Sequence, residues 1–171
     1  MFSKALGKKT LIALAVLIAT PSIMLWEGHK NTAYQDVAGI WTICSGETKG
    51  VYEGMYLSDE ECEFLTSERV YEFAEDVDKL VLVDISPRTH ASLILFSYNI
   101  GIGAFSRSTS LKKMNQGDVA GGCGSIKTKV FNSNGRCSGY GCGWSGGRRW
   151  EGLSNRRQYE FEMCMEGVNE G

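Results

Sequence analysis

The sequence contains only two histidines, His29 and His90, and no Cys-x-x-Cys pair. Structural zinc sites combine cysteine and histidine ligands in closely spaced pairs, so this shortage argues against zinc binding. We expect no metal ion and no cofactor, and we interpret both histidines as ordinary polar residues. No internal repeat appears either, and 171 residues fit one domain with a core of ordinary size.

Charge is missing from the beginning of the chain. Residues 1–26 carry no Asp or Glu, and no charged residue of either sign follows Lys9 within them. A short positive region before an apolar run, here residues 11–26, is the layout of an export signal whose positive end stays in the cytoplasm. As a helix this run would span only about 24 Å, less than the roughly 30 Å of a hydrocarbon core. We therefore expect a segment that inserts into a membrane but is held weakly.

Small residues that a signal peptidase would need are poorly placed in this segment. Ala13 and Ala15 have the required spacing but lie inside the apolar run, and Ala19 has Leu17 two positions upstream. We therefore favour an uncleaved anchor over a signal peptide that is removed.

Cysteine is comparatively abundant, with six residues: Cys44, Cys62, Cys123, Cys137, Cys142 and Cys164. An even number of this size is typical of an exported protein with up to three disulfides. The spacing does not choose among the many pairings, and a local bridge between Cys137 and Cys142 is one option.

The charges after residue 26 are unevenly distributed. Residues 27–106 hold 5 Lys or Arg against 14 Asp or Glu, whereas residues 107–171 hold 10 against 6. A basic second half would attract a polyanion such as a bacterial envelope or nucleic acid; the alternative is ordinary solvated surface charge. The arginines considered for an envelope contact are Arg148, Arg149, Arg156 and Arg157.

Periodicity and capping residues predict a mostly helical domain with a small β-hairpin. The hairpin is expected around a turn at residues 36–39, with a β-branched strand at residues 40–43. Ser58 and Glu61 have the form of a capping box, which predicts a helix over residues 58–80. Ser86 before Pro87 begins another helix that is apolar on nearly every side and is therefore predicted to be the central buried helix.

The second half of the chain shows weaker signals. A short helix is predicted over residues 108–115, and Ser154 is expected to cap a last helix that ends near residue 165. Residues 121–147 are rich in Gly, Ser, Asn and Cys and have no clear period. A loop of this length is expected to be functional, held by disulfides, or mobile.

Three residues directly after the apolar run have the chemistry of a glycosidase: Glu27, Asp36 and Thr42. Cleaving a glycosidic bond needs a carboxylic acid that protonates the leaving oxygen and a carboxylate on the other side of the sugar. Glu27 ends an apolar helix beside Trp26, where desolvation favours a protonated carboxyl, so we assign it as general acid. Asp36, at a polar turn, would act as base or electrostatic stabiliser, and Thr42 would help to hold the attacking water. The spacing alone fits surface carboxylates equally well.

The pattern Glu-x8-Asp-x5-Thr resembles the catalytic signature of phage-type lysozymes, the endolysins of glycoside hydrolase family 24. Two later parts of the chain fit in the right order, residues 96–111 and the Gly-Leu-x-x-Arg motif at 152–156. The resemblance implies an α+β, mostly helical, lysozyme-like fold of two lobes. Residues 27–57 would form a small β-hairpin lobe with the catalytic residues, and residues 58–171 a larger helical lobe around the central buried helix.

The same resemblance implies a substrate. It is peptidoglycan, cut at the β-1,4 bond between N-acetylmuramic acid and N-acetylglucosamine with inversion, which needs carboxyl groups about 6.5–9.5 Å apart. Side chains with hydroxyl and amide groups are expected to line the saccharide cleft, namely Tyr98, Asn99, Thr109 and Ser110. We expect a monomer without a nucleic-acid partner. The alternatives are a tethered module that binds peptidoglycan without cutting it, and a lytic transglycosylase, which forms an anhydro sugar without water.

The weakly apolar N-terminus resembles that of signal-anchor-release endolysins of phages that infect Gram-negative bacteria. This implies an inactive form tethered in the host inner membrane through residues 11–26, with its N-terminus in the cytoplasm, and an active form released into the periplasm. Some members are activated by thiol exchange from a cysteine in the anchor, but residues 1–26 contain none. We therefore expect activation by refolding of the anchor onto or beside the domain, which would bring Glu27 into place.

Overall fold

The computed structural model describes residues 7–128, 130–131, 137–142, 144–145, 148–149 and 151–170, with only the backbone of 130–131, 137–138, 144–145 and 148–149. The elements are α1 (Lys8–Glu27), β1 (Lys30–Gln35), β2 (Trp41–Cys44), α2 (Asp59–Leu80), α3 (Pro87–Ile100), α4 (Ile102–Phe105), α5 (Thr109–Asn115), α6 (Val119–Ile126), β3 (Val130–Phe131), β4 (Cys137–Ser138), a 3-10 turn (Tyr140–Cys142), β5 (Trp144–Ser145), β6 (Arg148–Arg149) and α7 (Glu151–Asn169). The predicted class, mostly helical with a small hairpin, is confirmed.

The hairpin forms where the sequence predicts it. β1 and β2 pair antiparallel, with Tyr34 opposite Thr42, and the turn between them begins at Asp36. The other edge of β1 is covered by the segment at residues 55–57, since the amide of Ala33 donates to the carbonyl of Met55. These strands form a small lobe with its own apolar cluster, centred on Ile43.

The predicted helix starts are also confirmed where a cap specifies them. Ser58 and Glu61 form both hydrogen bonds of the capping box before α2. Ser86 accepts from the amide of Thr89 and so caps α3. Leu93, Ile94, Leu95 and Phe96 in α3 are fully buried, so α3 is the central helix of the larger lobe.

α1 packs into this helical lobe against α2 and α3. Its inward face consists mostly of small and β-branched residues with at most 6% exposure, Ile12, Ala15, Ala19 and Ile23. Its outward face is apolar as well, since Leu17 and Leu25 are 70% and 75% exposed. The helix begins at Lys8, three residues before the apolar run, so its 20 residues span about 30 Å, of which the run itself accounts for about 24 Å. By length and composition α1 could cross a membrane.

Two expectations for the second half are wrong. The loop expected over residues 121–147 begins with helix α6, which is capped by Asp118 and starts at Val119. The last helix begins at Glu151, and Ser154 lies inside it, where its hydroxyl donates to the carbonyl of Gly141 at 3.3 Å. Serine and glycine are weak helix formers. The glycine-rich sequence of α6 therefore suggested a loop, and Ser154 suggested a cap, although packing against the rest of the domain stabilises a helix at both places.

Close packing accounts for Gly122 of α6. A Cβ at Gly122 would lie 2.3 Å from Cγ of Met114 and 2.9 Å from the carbonyl oxygen of Ser110, whereas a Cβ at Gly124 would meet nothing within 4 Å. We expect Gly122→Ala to lower the free energy of unfolding by about 1–3 kcal/mol through overpacking. Gly124→Ala, two positions along the same helix, should raise it by up to about 1 kcal/mol. Urea unfolding measures both, and equal effects of the two variants would contradict this account.

Four of the six cysteines form two described disulfides. Cys44–Cys62 joins the end of β2 to the first turn of α2, and Cys123–Cys164 joins α6 to α7. The first therefore ties the small lobe to the helical lobe, and the second fixes the C-terminal helix against the core. The suggested bridge between Cys137 and Cys142 involves a side chain outside the described part of the chain.

Candidate active site

Glu27 is the last residue of α1, and Gly28, with φ of 79°, turns the chain away toward β1. A residue with a Cβ rarely adopts that backbone conformation, so glycine suits this position. The Glu27 side chain is 27% exposed, and its Oε1 accepts a hydrogen bond from Nη1 of Arg156 at 2.5 Å. The surroundings of the carboxyl therefore differ from the apolar ones predicted from Trp26, because α7 places a guanidinium beside it.

Arg156 belongs to a group of four charged residues that we call the arginine cluster: the partly exposed Glu27 and the buried Arg156, Arg157 and Glu160. Glu160 is fully buried, and its Oε1 accepts from Nε of Arg156 at 3.1 Å and from Nη2 of Arg157 at 2.7 Å. The two arginines are 4% and 2% exposed, so the expectation that they meet the envelope or solvent is wrong. Arg148 and Arg149, considered with them, have side chains outside the described residues.

Burial shifts the pKa values of Glu160 and Arg157 toward their uncharged forms. It raises the pKa of Glu160 to about 7, although both neighbouring guanidiniums oppose this shift. It lowers the pKa of Arg157 to about 10, and here the Glu160 carboxylate opposes it. Both shifts favour the uncharged forms, so the ionised cluster is held by mutual attraction against a substantial loss of hydration.

Asp36 is fixed by the hairpin turn that it begins. Its Oδ1 accepts the amide hydrogens of Ala38 at 2.8 Å and Ile40 at 2.9 Å, and its own amide donates to the carbonyl of Ile40. Among the described residues Oδ2 accepts no hydrogen bond. The carboxylate therefore has one oxygen used for orientation and one available to a ligand.

Thr42 belongs to the same hairpin as Asp36. Thr42 lies on β2 opposite Tyr34 of β1, and Asp36 directly follows the end of β1. The Thr42 hydroxyl donates to the carbonyl of Ile40 at 3.0 Å and is 4% exposed. Asp36 and Thr42 are thus brought together by a local structure, whereas Glu27 is fixed separately by α7.

The residues expected to line a saccharide cleft lie at the end of α3 and the start of α5. Tyr98 donates its hydroxyl to the carbonyl of Ser45 at 3.4 Å, and burial, together with the nearby Glu27, raises its pKa to about 12. Asn99 is exposed, and its Oδ1 accepts from Nη2 of Arg157 at 3.0 Å. Thr109 is exposed, whereas Ser110 is only 2% exposed. Tyr98 and Asn99 therefore adjoin the arginine cluster.

The profile of the phage lysozyme family matches residues 24–160 of this sequence. The chain belongs to the phage lysozyme family. The match contains Glu27, the hairpin and the arginine cluster, so all of the candidate site lies within the part that defines the family. The chain is thus a lysozyme-type hydrolase.

Several relatives of this chain are named SAR-endolysins. The chain is 33% identical to the SAR-endolysin of Enterobacteria phage PA-2 and 32% identical to that of Enterobacteria phage P21, in each case over 95% of this chain and 92% of the relative. It therefore belongs with the phage endolysins of the signal-anchor-release type. Among solved structures, the endolysin of Escherichia coli O157:H7 phage FAHEc1 superposes with a TM-score of 0.68 at 30% identity, covering 86% of this chain and 90% of that one.

Sequence reasoning missed Glu160 and gave Arg156 and Arg157 a surface role. A signal was present, because Glu160 follows the two arginines by four and three residues, and such pairs share one face of a helix. Exposed pairs of this kind are common, so the spacing alone suggests surface charge. Only the packing of α7 against α1 and α3 shows that this face is buried.

Proposed function

We propose that this chain is an endolysin that hydrolyses the β-1,4 bond between N-acetylmuramic acid and N-acetylglucosamine in peptidoglycan, for host cell lysis and phage release. The observation that carries the proposal is the position of Glu27. It ends a helix packed into a phage lysozyme domain, and a buried arginine holds its carboxyl at 2.5 Å. A carboxyl held in this way can be directed at one bond of a bound sugar.

In this mechanism Glu27 gives its proton to the glycosidic oxygen as the bond to the sugar carbon breaks. Arg156 bonds Oε1, which leaves Oε2 to carry the proton. Asp36 accepts a proton from a water through Oδ2, the oxygen that the described turn hydrogen bonds do not use, and the water oxygen forms the new bond from the opposite face, with Thr42 beside it. One water is consumed, and the configuration is inverted.

The saccharide would lie across the end of α3 and the start of α5. Tyr98 lies near Glu27, and Asn99 accepts a hydrogen bond from Arg157 of the arginine cluster. Thr109 has an exposed side chain that could contact the sugar. Because Ser110 is buried, we assign it a supporting position beneath Thr109 rather than a direct contact. The enzyme would work as a monomer, with no nucleic-acid partner.

Residues 1–26 would act as a single-pass anchor in the host inner membrane, with the N-terminus in the cytoplasm, before the domain at 27–171 is released into the periplasm. Its small lobe would be residues 27–57 and its helical lobe residues 58–171. The support is that α1 is apolar on two faces, one of them packed in the domain. A helix that only filled a core would not need exposed leucines on the other face.

Mass spectrometry of the released muropeptides tests the reaction. Purified protein incubated with Gram-negative peptidoglycan should yield reducing fragments that contain one added water. Anhydro products would instead identify a transglycosylase. Binding to peptidoglycan without any soluble fragment, together with no clearing of chloroform-treated cells, would identify a binding module. Fragments with retained configuration at the new reducing end would contradict the proposed inversion but not the proposed hydrolysis.

A further inference from the structure

One buried carboxylate orients both arginines of the arginine cluster. Oε1 of Glu160 accepts from Arg156 and from Arg157, which lie one turn earlier on α7. The two guanidiniums then point in different directions: Arg156 reaches Glu27, and Arg157 reaches Asn99. Glu160 itself has no exposed surface and touches neither a cleft nor solvent.

The contacts that orient Arg156 do not depend on α1. Its Nε donates to Glu160 on the same helix, and its Nη2 donates to the carbonyl of Leu95 on α3 at 3.4 Å. Only Nη1 faces α1. The guanidinium is therefore placed by α7 and α3, and Glu27 meets a donor that is already directed toward it.

Stability alone does not explain such a cluster. Burying ion pairs costs hydration that their attraction only partly recovers, and apolar residues of similar volume often stabilise a protein as well or better. Here two cations and two anions lie together, with Glu160 at 0% and both arginines below 5% exposure. The arrangement offers geometric precision at the carboxyl of Glu27 in exchange for that cost.

We infer that Glu160 is a positioning residue, which acts through Arg156 to hold Glu27 in the geometry needed for proton transfer. This inference rests on the proposed function, in which Glu27 is the general acid. Glu160 has no contact with the saccharide in this scheme, so its loss should slow the chemical step and leave substrate binding nearly unchanged.

Two substitutions of Glu160 distinguish the effect of its charge from the effect of its side-chain length. Glu160→Gln keeps the length of the side chain and removes its charge, whereas Glu160→Asp keeps the charge and shortens the reach by one methylene. Initial rates over a series of peptidoglycan concentrations should show kcat reduced about 10- to 100-fold for each, with KM within about twofold, because misplacement by about 1 Å can cost that much. Circular dichroism and thermal unfolding would show whether each variant is folded. If Glu160→Gln does not fold, the kinetics of Glu160→Asp still test the inference.

The matched control is Glu162→Gln on the same helix. Glu162 bonds only Gln158 among the described residues and lies on the exposed side of α7, so kcat should stay within about twofold of wild type. A double-mutant cycle then tests whether Glu160 acts on Glu27 through Arg156. If Glu160 acts through Arg156, Glu160→Gln in an Arg156→Lys background should reduce kcat much less than it does alone.

Outcomes separate this inference from the proposed function. Wild-type protein that releases hydrated muropeptides supports the function, whatever the variants do. If both Glu160 variants then keep kcat within twofold while their melting temperatures fall, Glu160 is only structural. Fully additive effects in the cycle, or a rise in KM equal to the loss in kcat/KM, would also overturn the positioning role.

Discussion

Glu27→Gln should lower kcat by about 10²- to 10⁴-fold, the range expected for loss of a general acid. Glutamine keeps the shape of the side chain, and its carbonyl oxygen can still accept the hydrogen bond that Arg156 donates to Oε1. The substitution therefore removes the proton donor while it disturbs the docking of α1 little. Initial rates of peptidoglycan solubilisation by the purified, folded variant measure the effect.

Glu53→Gln is the matched control for this variant. Glu53 is an exposed carboxylate of the small lobe with no role in the proposed mechanism, so the same change there should leave kcat within about twofold. A Glu27→Gln enzyme with more than a tenth of wild-type kcat would show that Glu27 is not the acid.

Asp36→Asn should show a similarly large loss of kcat, because its amide nitrogen or oxygen cannot take the proton of the attacking water.

Local signals predicted the parts of this site that are local in structure. The turn at Asp36 and the strand that contains Thr42 follow from a short β-branched run, and their relation is set by one hairpin. The same holds for α2 and α3, whose first turns are specified by Ser58 and Ser86. In each case the decisive hydrogen bonds join residues at most four apart, or strands that are adjacent in sequence.

The rest of the site depends on contacts that no short window contains. Arg156 and Glu27 are 129 residues apart, and both residues have ordinary surface interpretations on their own. α6 was missed for a related reason, since three of its eight residues are glycine, and glycine disfavours a helix in isolation. The glycine at position 122 becomes favourable because Met114 and Ser110 lie against it.

The two faces of α1 suit two different environments: one face packs in the core of the domain, and the other would favour the membrane in the proposed function. Ala15 and Ala19 allow close approach to α2 and α3, and Ser22 hydrogen-bonds Tyr159 of α7 at 2.9 Å. Leu17 and Leu25 lie mostly exposed on the other face, and under the proposed function they would add apolarity to the segment in a bilayer. Under the proposed function, the segment would leave the membrane because the domain offers a second place to bury its inner face, and Glu27 would reach Arg156 only after that release.

Four leucines inserted between Thr10 and Leu11 should lock the enzyme in the membrane and abolish lysis. At roughly −0.3 to −0.6 kcal/mol each, they favour the inserted form by about 1.2–2.4 kcal/mol, roughly an 8- to 60-fold change in the equilibrium with the released form. The insertion lies before Ile12, so the inward face of α1 keeps its register against the core. Lysis timing in culture and the distribution between membrane and periplasmic fractions measure the result.

The control for this variant is an insertion of four alanines at the same place, which adds the same helical length with little apolarity and should permit release. Activity assayed after purification without detergent distinguishes retention from damage, because the leucine form should regain activity once α1 can dock and Glu27 can meet Arg156. Lysis on the wild-type schedule by the leucine form would exclude membrane retention as the switch. A leucine form that stays inactive after α1 has docked would place its defect in the folded domain instead.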